Sequence, residues 1–513
     1  MTLARTYSVA LVGVQGHVVE VEVDIANGLP ATILVGLPDT ALREARDRIR
    51  AAVVNSGQAW PKTKITIGLS PANLHKRGSG FDLAIAIAVL TAAEVLPLTA
   101  SAGMVFLAEL GLDGQLRPVP GVLPAVVASA AGGMETVVVA AGNEAEATLM
   151  PGLKVVAAES LAQVIDWLRG GPPPLVTTSP RPRSPGGPRN GHRGGLDLAE
   201  VLGQPEARLA AEICAAGGHN LSLLGPPGAG KTMLAERLPT ILPQLETPAA
   251  LEVTSIHSVA GALPAGSGLI TIPPFCAPHH TASKAAIVGG GSGILKPGAA
   301  SLAHRGILFL DEAPEFARDV LDALRQPLEA GKIQLDRSGI RAIFPARFTL
   351  VLAANPCPCA KGGAAGAACD CSPATKRRYL ARLSGPLLDR VDVKVELMPV
   401  KRRDMLYDRE FAETSAVVAQ RVAAARARVA ARLRGTPWRL NAEIPGAELR
   451  RSFAPPAGAL GSLDRAMELG QVSARGVNKI VRVAWSVADL AGKPRPGRDE
   501  VDTALGLWLG VRQ

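Results

Sequence analysis

An eight-residue stretch in the middle of the chain, GPPGAGKT, has the residue types that bind the phosphates of a nucleotide. Its glycines let backbone N–H groups approach phosphate oxygens at the start of a helix. Lys231 is placed to reach the β- and γ-phosphates of ATP, and Thr232 to bind Mg²⁺. The apolar run NLSLL precedes the stretch and a helical pattern follows it, as this motif requires. The residues predicted to bind the nucleotide are Gly225, Pro226, Pro227, Gly228, Ala229, Gly230, Lys231 and Thr232.

Two further strand-like runs end in polar residues that can complete such a site. GILFLDE is an apolar run that ends in Asp311 and Glu312. Asp311 can hold Mg²⁺, and Glu312 can polarise the attacking water. FTLVLAANP leads to Asn355, whose amide can orient that water or the γ-phosphate; a turn begun by Asn355 before Pro356 is the alternative. The sequence therefore predicts hydrolysis of ATP with Mg²⁺ as cofactor.

Four of the six cysteines are close together in the sequence. Two C-x-C pairs, CPC and CDC, flank the spacer AKGGAAGAA, so that four thiolates can surround one tetrahedral ion. Reduced thiols without a metal are the alternative, because this chain does not have the composition of a disulfide framework. The residues predicted to bind structural Zn²⁺ are Cys357, Cys359, Cys369 and Cys371.

Two adjacent histidines, His279 and His280, also have metal-binding side chains. Neighbouring side chains on an extended segment point to opposite faces, which does not suit a shared ion. We therefore expect hydrogen bonds at the end of a strand and assign neither histidine to a metal.

The chain of 513 residues is too long for one hydrophobic core, and its net charge of +10 suits a polyanionic partner such as nucleic acid. A segment rich in proline and glycine, without acidic residues, reads as a linker. Strand-like and helical runs alternate before it, which predicts an α/β fold, and helices dominate after Glu396. The expected parts are an α/β domain (1–170), the linker (171–195), a P-loop core (196–398) and a helical lid (399–513).

Membrane and export signals are not expected in this chain. No apolar run reaches the roughly 18 residues that cross a bilayer. The first residues alternate polar and apolar side chains like a strand, and do not resemble a signal peptide. We expect a cytoplasmic protein.

The motifs together resemble the YifB/ComM family of magnesium-chelatase-like AAA+ ATPases, nearly from end to end. The similarity includes the segments GSGFDL, ELGLDGQLRPVPGVLP, APHHTAS, PGAASLAHRGILFLDEAPEF, LRQPLEAGKIQLDR, AANPCPC, RLSGPLLDRVD and SARGVNKIVRVAWSVADL. The resemblance implies that Arg390 is an arginine finger acting on a neighbouring subunit, and that Arg475 is the sensor arginine of the lid. An ion pair of Arg390 with Asp389 or Asp392 is the alternative. A finger acting in trans implies a ring, most simply a hexamer.

In ring helicases that this family resembles, a hairpin between these motifs enters the central pore and contacts the DNA backbone. GKIQLDRSGIRAIFPARF has two alternating runs around a short tip and is predicted to form this hairpin. The glycine-rich VGGGSGILKPG resembles a second pore insertion. A solvated strand face is the alternative for the hairpin cations. The residues predicted to contact DNA phosphates are Lys296, Lys332, Arg337 and Arg341.

The first domain resembles the Lon protease fold, which raises the possibility of a serine nucleophile at Ser79. Gly80, however, falls at the nucleophile position of the Lon helix, and Leu123 stands where Lon has its catalytic lysine. A serine without a general base is a poor nucleophile. We therefore interpret Ser79 as a turn or helix-cap residue, and the domain as an interaction or assembly module without peptidase activity.

The resemblance favours an ATP-driven DNA motor of the ComM type, which promotes branch migration or unwinding during DNA uptake and recombination. A protein remodeller or protease accessory of the YifB type is the second hypothesis, and a magnesium-chelatase-like motor is the third. The scarcity of aromatic residues favours tracking of the DNA backbone over reading of its sequence.

Overall fold

The chain is described by a computed structural model over most of its length. The described residues are 2–36, 40–74, 76, 78–176, 195–264, 266–291, 295–337, 340–359 and 369–510. Most of the predicted linker, residues 177–194, lies outside these ranges.

The first part of the chain forms a mixed seven-stranded sheet in the order β3-β4-β2-β1-β5-β8-β9. Strands β1, β2 and β4 pair antiparallel, whereas the pairs β3–β4, β1–β5, β5–β8 and β8–β9 are parallel. A short hairpin, β6–β7, lies outside this sheet. The strands are β1 (Thr2–Val12), β2 (Gln15–Ala26), β3 (Ala31–Val35), β4 (Lys64–Ser70), β5 (Met104–Leu107), β6 (Glu109–Leu110), β7 (Leu116–Arg117), β8 (Thr136–Ala140) and β9 (Lys154–Ala158).

The core of this part is organised around one helix, α2, in which every residue is buried. Its sequence DLAIAIAVLTA is apolar on all sides, which is typical of a helix enclosed by other elements. The exception is Asp82, whose carboxylate accepts hydrogen bonds from Arg48 at 2.7 and 3.1 Å. The helices here are α1 (Thr40–Asn55), α2 (Asp82–Ala92), α3 (Val122–Ala131), α4 (Glu144–Ala147) and α5 (Leu161–Leu168).

The second part contains a fully parallel five-stranded sheet in the order β11-β12-β15-β10-β16. Strands β12 and β15 are largely apolar and almost fully buried, as expected for a parallel sheet with both faces covered. Strands β13 and β14 form a separate antiparallel hairpin. The strands are β10 (Leu221–Leu224), β11 (Phe275–Cys276), β12 (Ile307–Leu310), β13 (Lys332–Arg337), β14 (Ile340–Pro345), β15 (Thr349–Ala354) and β16 (Val393–Glu396).

Helices cover the second sheet and form the last part of the chain. One apolar core joins β10 and β16 to α6, α7, α16 and α19, and another lies between β12, β15, α9 and α11. The helices are α6 (Pro205–Gly217), α7 (Lys231–Ile241), α8 (Thr247–Ala260), α9 (Lys284–Val288), α10 (Ala299–Leu302), α11 (Arg318–Ala323), α12 (Arg325–Ala330), α13 (Pro373–Leu380), α14 (Gly385–Leu388), α15 (Arg402–Asp408), α16 (Ser415–Arg432), α17 (Gly446–Arg451), α18 (Gly461–Glu468), α19 (Ala474–Leu490) and α20 (Arg498–Leu509).

The first part of the chain contacts the second through the turn between β1 and β2, which reaches β14, and through the start of α3, which reaches α8. Gly13 lies so close to β14 that a Cβ atom there would be 2.7 Å from the Ile343 carbonyl oxygen. The Gly121 amide donates to the Ser258 carbonyl at 3.2 Å, and the Ser258 hydroxyl bonds the partly buried carboxylate of Glu146. A cavity of about 340 Å³ is lined by residues of both parts.

The predicted α/β class is confirmed by the two sheets and their covering helices. Among the helices in the described ranges, none has the length and apolar character that a membrane crossing requires.

Candidate nucleotide-binding site

The glycine-rich stretch forms the loop between β10 and α7. Gly228 and Gly230 have φ angles of 76° and 93°, in the left-handed region that glycine adopts readily. Gln204 joins the loop to the residues after β16: its side-chain amide donates to the carbonyl oxygens of Ala229 at 3.1 Å and Met398 at 2.7 Å. Backbone N–H groups at the start of α7 are therefore available to an anion.

Lys231 begins α7 and is 8% exposed. Its ammonium donates to the carbonyl oxygens of Gly225 at 2.6 Å and Pro226 at 2.9 Å, and to Asn355 Oδ1 at 3.0 Å. Burial lowers the pKa of Lys231 from its usual value, and the nearby carboxylates of Asp311 and Glu312 act in the opposite direction. The loop thus holds a cation at its centre.

Thr232 lies in the first turn of α7, and Asp311 directly follows β12. The two side chains are distant in the sequence but contact each other. The Thr232 hydroxyl donates to Asp311 Oδ2 at 2.7 Å. Hydroxyl and carboxylate oxygens are ligands that suit Mg²⁺, which is bound in nucleotide sites by few protein groups and by phosphate. The donor set therefore fits a magnesium ion next to the phosphate loop.

Glu312 has an unusual backbone for a residue with a side chain. Its φ angle is 49°, in the left-handed region, and its amide donates to Asp311 Oδ1 at 2.9 Å. Strained backbones of this kind cluster at functional sites. The Glu312 carboxylate lies 3.2 Å from Nδ1 of His280 and is half exposed.

Asn355 follows β15, which lies between β10 and β12 in the sheet. Because parallel strands end at the same edge, the residues after β10, β12 and β15 converge there. The Asn355 side chain accepts a hydrogen bond from Lys231, a residue that is distant in the sequence and lies after β10. Its assignment to water or phosphate stays a prediction.

Arg390 lies at the end of the same sheet where β10 begins, opposite the end that carries the nucleotide loop. Its carbonyl oxygen accepts from the Asn220 side chain at 2.8 Å, and Asn220 precedes β10, whereas Lys231 follows it. The strand between the two edges has four residues, or about 13 Å at roughly 3.3 Å per residue. Arg390 is therefore far from the nucleotide loop of its own chain.

The expected alternative partners of Arg390 are wrong. Its guanidinium contacts the Glu329 carboxylate and donates to the Pro386 carbonyl at 2.6 Å. Asp392 is instead paired with Lys479 of α19 at 3.1 Å, and Lys479 also donates to the Val391 carbonyl at 2.9 Å.

Two further arginines, Arg325 and Arg475, lie close enough to Arg390 to act on its pKa. Burial, and after it the neighbouring Arg325 and Arg475, lowers the pKa of Arg390 from its usual value. Arg475 is exposed on the first turn of α19. Arg325 and Glu329 lie in the segment LRQPLEAG, which resembles the family, but neither residue was predicted to contact Arg390.

The four clustered cysteines come together in space. The Sγ atoms of Cys357 and Cys359 are 3.2 Å apart, and Cys369 Sγ lies 3.4 Å from Cys357 and 3.6 Å from Cys359. All four thiols, including Cys371, lie within 4.8 Å of one another. Thiolates about 2.3 Å from one tetrahedral Zn²⁺ would be about 3.8 Å apart, so the cluster fits this ion closely. The spacer 360–368 lies outside the described residues.

Burial, with help from the neighbouring thiols, raises the pKa of Cys357 to about 12. Without a cation, the Cys357 thiol therefore favours its neutral form. A bound Zn²⁺ would reverse that preference, because coordination deprotonates a thiol.

The predicted hairpin is present as β13 and β14. Lys332 is exposed at its base, and Arg341 is exposed on β14, where its guanidinium pairs with Asp336 at 3.0 Å. The Arg337 side chain and the tip residues 338–339 lie outside the described residues. Contact of this hairpin with DNA stays a prediction.

The second predicted insertion begins after α9. Gly290 and Lys296 exchange backbone hydrogen bonds of 3.1 and 3.0 Å, which closes the loop, and Lys296 is exposed. Residues 292–294 of this loop lie outside the described ranges.

Ser79 is a turn residue, and the expectation that it caps α2 is wrong. The helix begins at Asp82 with Phe81 in the N-cap position, and no side chain caps it. The Ser79 hydroxyl instead bonds the Glu109 carboxylate. Leu123, at the position of the Lon lysine, is fully buried.

Three family models match the chain: magnesium chelatase subunit ChlI over residues 197–405, subunit ChlI of Mg-chelatase over 21–143, and the ChlI C-terminal model over 412–507. The uncharacterized protein Rv2897c of Mycobacterium tuberculosis is 51% identical over 99% of each chain. Competence protein ComM of Haemophilus influenzae is 40% identical over 100% of this chain and 98% of its own. The uncharacterized protein YifB of Escherichia coli is 41% identical over 96% of this chain and 94% of its own.

The parallel sheet, the glycine-rich loop and the converging strand ends define a P-loop core followed by a helical region, as predicted, and the protein is an AAA+ ATPase. More particularly, the chain belongs to the YifB/ComM family of magnesium-chelatase-like proteins.

Proposed function

We propose that this ATPase assembles into a ring, most simply a hexamer, and moves along DNA in a ComM-type branch-migration or helicase reaction during DNA uptake and recombination. The observation that carries the DNA part is the hairpin β13–β14 with its exposed cations Lys332 and Arg341. Phosphate contacts made by such cations carry no sequence information, which suits a translocase. The full-length similarity to a competence protein supports the same proposal.

In the hydrolysis step, the loop amides and Lys231 hold the β- and γ-phosphates of ATP. Thr232 and Asp311 would hold Mg²⁺, and the bound ion would supply positive charge next to the phosphates. Glu312 takes a proton from the attacking water, and Asn355 orients that water or the γ-phosphate. The contacts among Lys231, Asn355, Thr232 and Asp311 support this division of roles.

The ring is proposed because Arg390 lies across the sheet from Lys231 of its own chain. In the ring, Arg390 leaves Glu329 and contacts the γ-phosphate bound by the neighbouring subunit. Arg475, close enough to affect the pKa of Arg390, adds positive charge at the same boundary.

We propose that the four cysteines hold one structural Zn²⁺. The convergence of four thiols after β15 supports a closed, tetrahedral site. Metal analysis of the purified protein should give about one Zn²⁺ per chain. Replacing Cys369 and Cys371 by Ser should remove it, whereas replacing the distant Cys214 and Cys276 should not. A fully active reduced protein without metal would contradict the proposal.

The division into domains at 170, 195 and 398 is also proposed. The first domain acts as an interaction or assembly module in the cytoplasm, without peptidase activity. The bond between Ser79 and Glu109 and the buried Leu123 support this interpretation, because a lysine base is not supplied at either place.

The DNA proposal is tested by ATPase assays with single-stranded, duplex and branched DNA and with unfolded protein. We expect DNA to stimulate hydrolysis. Changing Arg337 and Arg341 together to Ala should weaken DNA binding and flatten its salt dependence, because fewer counterions are released. Changing Arg46 and Arg50, exposed on α1, removes the same charge elsewhere and should have little effect. Stimulation by unfolded protein alone would instead favour a protein remodeller.

A further inference from the structure

The backbone that carries Arg390 is held by side chains from two different parts of the fold. The Arg390 carbonyl accepts from the Asn220 side chain at 2.8 Å. The next carbonyl, that of Val391, accepts from Lys479 Nζ at 2.9 Å. Asn220 directly precedes β10, whereas Lys479 lies on α19 in the helical region after the core. The segment is therefore anchored both to the five-stranded sheet and to a helix outside it.

Lys479 is fixed by a second contact as well as by the Val391 carbonyl. Its Nζ lies 3.1 Å from Asp392 Oδ1, and both side chains of this ion pair are buried. Asp392 Oδ2 accepts from the Asn220 amide at 3.3 Å, so the same carboxylate also reaches the start of β10. A buried cation that moved away from its carboxylate would leave both charges without a partner, which is strongly unfavourable. The ammonium is thus a rigid link.

The same helix carries a second cation close to Arg390. Arg475 lies four residues before Lys479 on α19, so the two side chains share one face of the helix. Arg475 is exposed, and its charge is near enough to act on Arg390. One face of α19 therefore carries both an exposed guanidinium beside Arg390 and the buried ammonium that binds the Arg390 segment.

We propose that Lys479 is a positioning residue for the arginine finger: its bonds to Val391 and Asp392 couple α19 to the backbone of Arg390. The finger and the helix that carries Arg475 then approach the neighbouring nucleotide as one unit. The inference rests on the proposed action of Arg390 in trans. Lys479 is buried within its own chain and does not contact the reacting atoms. Its loss keeps the Arg390 guanidinium but frees the backbone that directs it, and a displacement of about 1 Å at a catalytic group can lower the rate about 10²-fold.

The test uses mixed rings in which each chain supplies one half of a site. Arg390→Ala chains have an intact nucleotide loop but no finger, and Lys231→Ala chains have a finger but no working loop. Steady-state hydrolysis should recover in this mixture. Adding Lys479→Met to the Lys231→Ala chain should lower the recovered rate about tenfold or more. Adding Lys479→Met to the Arg390→Ala chain should have little effect, because that chain has no finger to position.

Further variants, each placed in the Lys231→Ala chain, separate positioning from folding. Lys479→Arg keeps a cation with several donors and should restore most of the recovered rate. Arg432→Met breaks a comparable buried ion pair, with Asp489 at 2.6 Å, ten residues farther along α19, and should lower the rate little. If Lys479→Met alone prevents folding, Lys479→Met/Asp392→Asn removes the unpaired charge and should show the same loss.

Three outcomes would overturn the inference: an unchanged rate with Lys479→Met on the chain that supplies the finger, an equal loss whichever chain carries it, or an equal loss with Arg432→Met. Failure of Lys479→Arg to restore the rate would also contradict it. The starting mixture separates this result from the larger proposal. If Arg390→Ala and Lys231→Ala recover hydrolysis and Lys479→Met changes nothing, only the positioning role fails. If rings that mix recover no hydrolysis, the action of Arg390 in trans fails as well.

Discussion

The two sheets of this protein differ in what lies at the ends of their strands. In the five-stranded sheet, the residues after β10, β12 and β15 are an ammonium, a hydroxyl, carboxylates and an amide that converge on one place. Beside the seven-stranded sheet, the Asp82 carboxylate of α2 is satisfied within the same part of the chain, because it accepts from Arg48 and from the Leu110 amide. Similar α/β construction thus gives a binding site in one case and a closed core in the other.

This difference predicts where substitutions affect turnover and where they affect stability. Polar groups that converge at the strand ends around the phosphate loop should matter for catalysis. Groups that satisfy one another should matter for folding.

The largest effect is expected at Arg390, at the end of the five-stranded sheet opposite the nucleotide loop. Arg390→Ala should lower ATPase turnover by about 10³-fold or more, the contribution typical of an arginine finger. Mixed with Lys231→Ala subunits, it should recover part of the activity, because an intact finger can meet an intact site. Steady-state hydrolysis over a series of mixing ratios measures this. Rings that mix but never complement would argue that Arg390 acts within its own chain or not at all.

The second largest effect on turnover is expected at the end of the sheet that carries the nucleotide loop. Glu312→Gln should lower turnover by about 10²- to 10⁴-fold while ATP stays bound, because the carboxylate acts only on water. Lys231→Ala should instead weaken nucleotide binding, since the ammonium contacts phosphate. Equilibrium binding and turnover, measured on the same preparations, separate the two. Equal loss of affinity in both variants would contradict the assigned roles.

Most residues of the nucleotide site were predictable from the sequence for a simple reason. The loop after β10 and the carboxylates after β12 are each encoded by a short local motif, and parallel strands bring such motifs together. Asn355 belongs to the same pattern, as the first residue after β15. The α/β class followed from alternating strand and helix patterns in the same way.

The contacts that were missed depend on pairing between distant segments. His280 reaches Glu312 only because β11 lies beside β12, and no local pattern indicates the order of strands in a sheet. Arg390 contacts Glu329 rather than the adjacent aspartates, because α19 engages Asp392 through Lys479. Ser79 was expected in a turn or as a helix cap; it lies in a turn, and its hydroxyl bonds Glu109 rather than the start of α2. Each error concerns a tertiary partner and not the type of element.

The seven-stranded sheet gives the next prediction. Arg48→Ala should destabilise the protein by about 3–5 kcal/mol near pH 8, because it leaves the Asp82 carboxylate buried without its cation. ATP binding at Lys231 should persist below the unfolding temperature. Thermal or denaturant unfolding of the full chain measures the loss. If the variant were as stable as the parent protein, the Arg48–Asp82 ion pair would not contribute to the stability of the fold.

The pH dependence of that loss has a definite sign. Burial raises the pKa of Asp82 to about 6, against the lowering effect of Arg48. The folded protein therefore holds this proton more tightly than the unfolded chain, where the pKa is about 3.9, and the group's contribution to the unfolding free energy falls as pH rises between those values. Without Arg48, the pKa rises further. The destabilisation should thus be smaller at pH 5 than at pH 8, and a loss that grows on acidification would be inconsistent with it.

The smallest effect is expected at Ser79, at the head of α2. Ser79→Ala removes a hydroxyl that bonds Glu109, a loss of about 1 kcal/mol of stability. ATPase and DNA activities should be unchanged, because the hydroxyl is satisfied within its own domain and the residue at the Lon lysine position, Leu123, has no ionisable group. Peptide hydrolysis, ATP turnover and DNA binding measured on one preparation provide the check. If Ser79→Ala abolished an ATP-dependent peptidase activity, the closed seven-stranded part would be a catalytic site, and the contrast between the two sheets would fail.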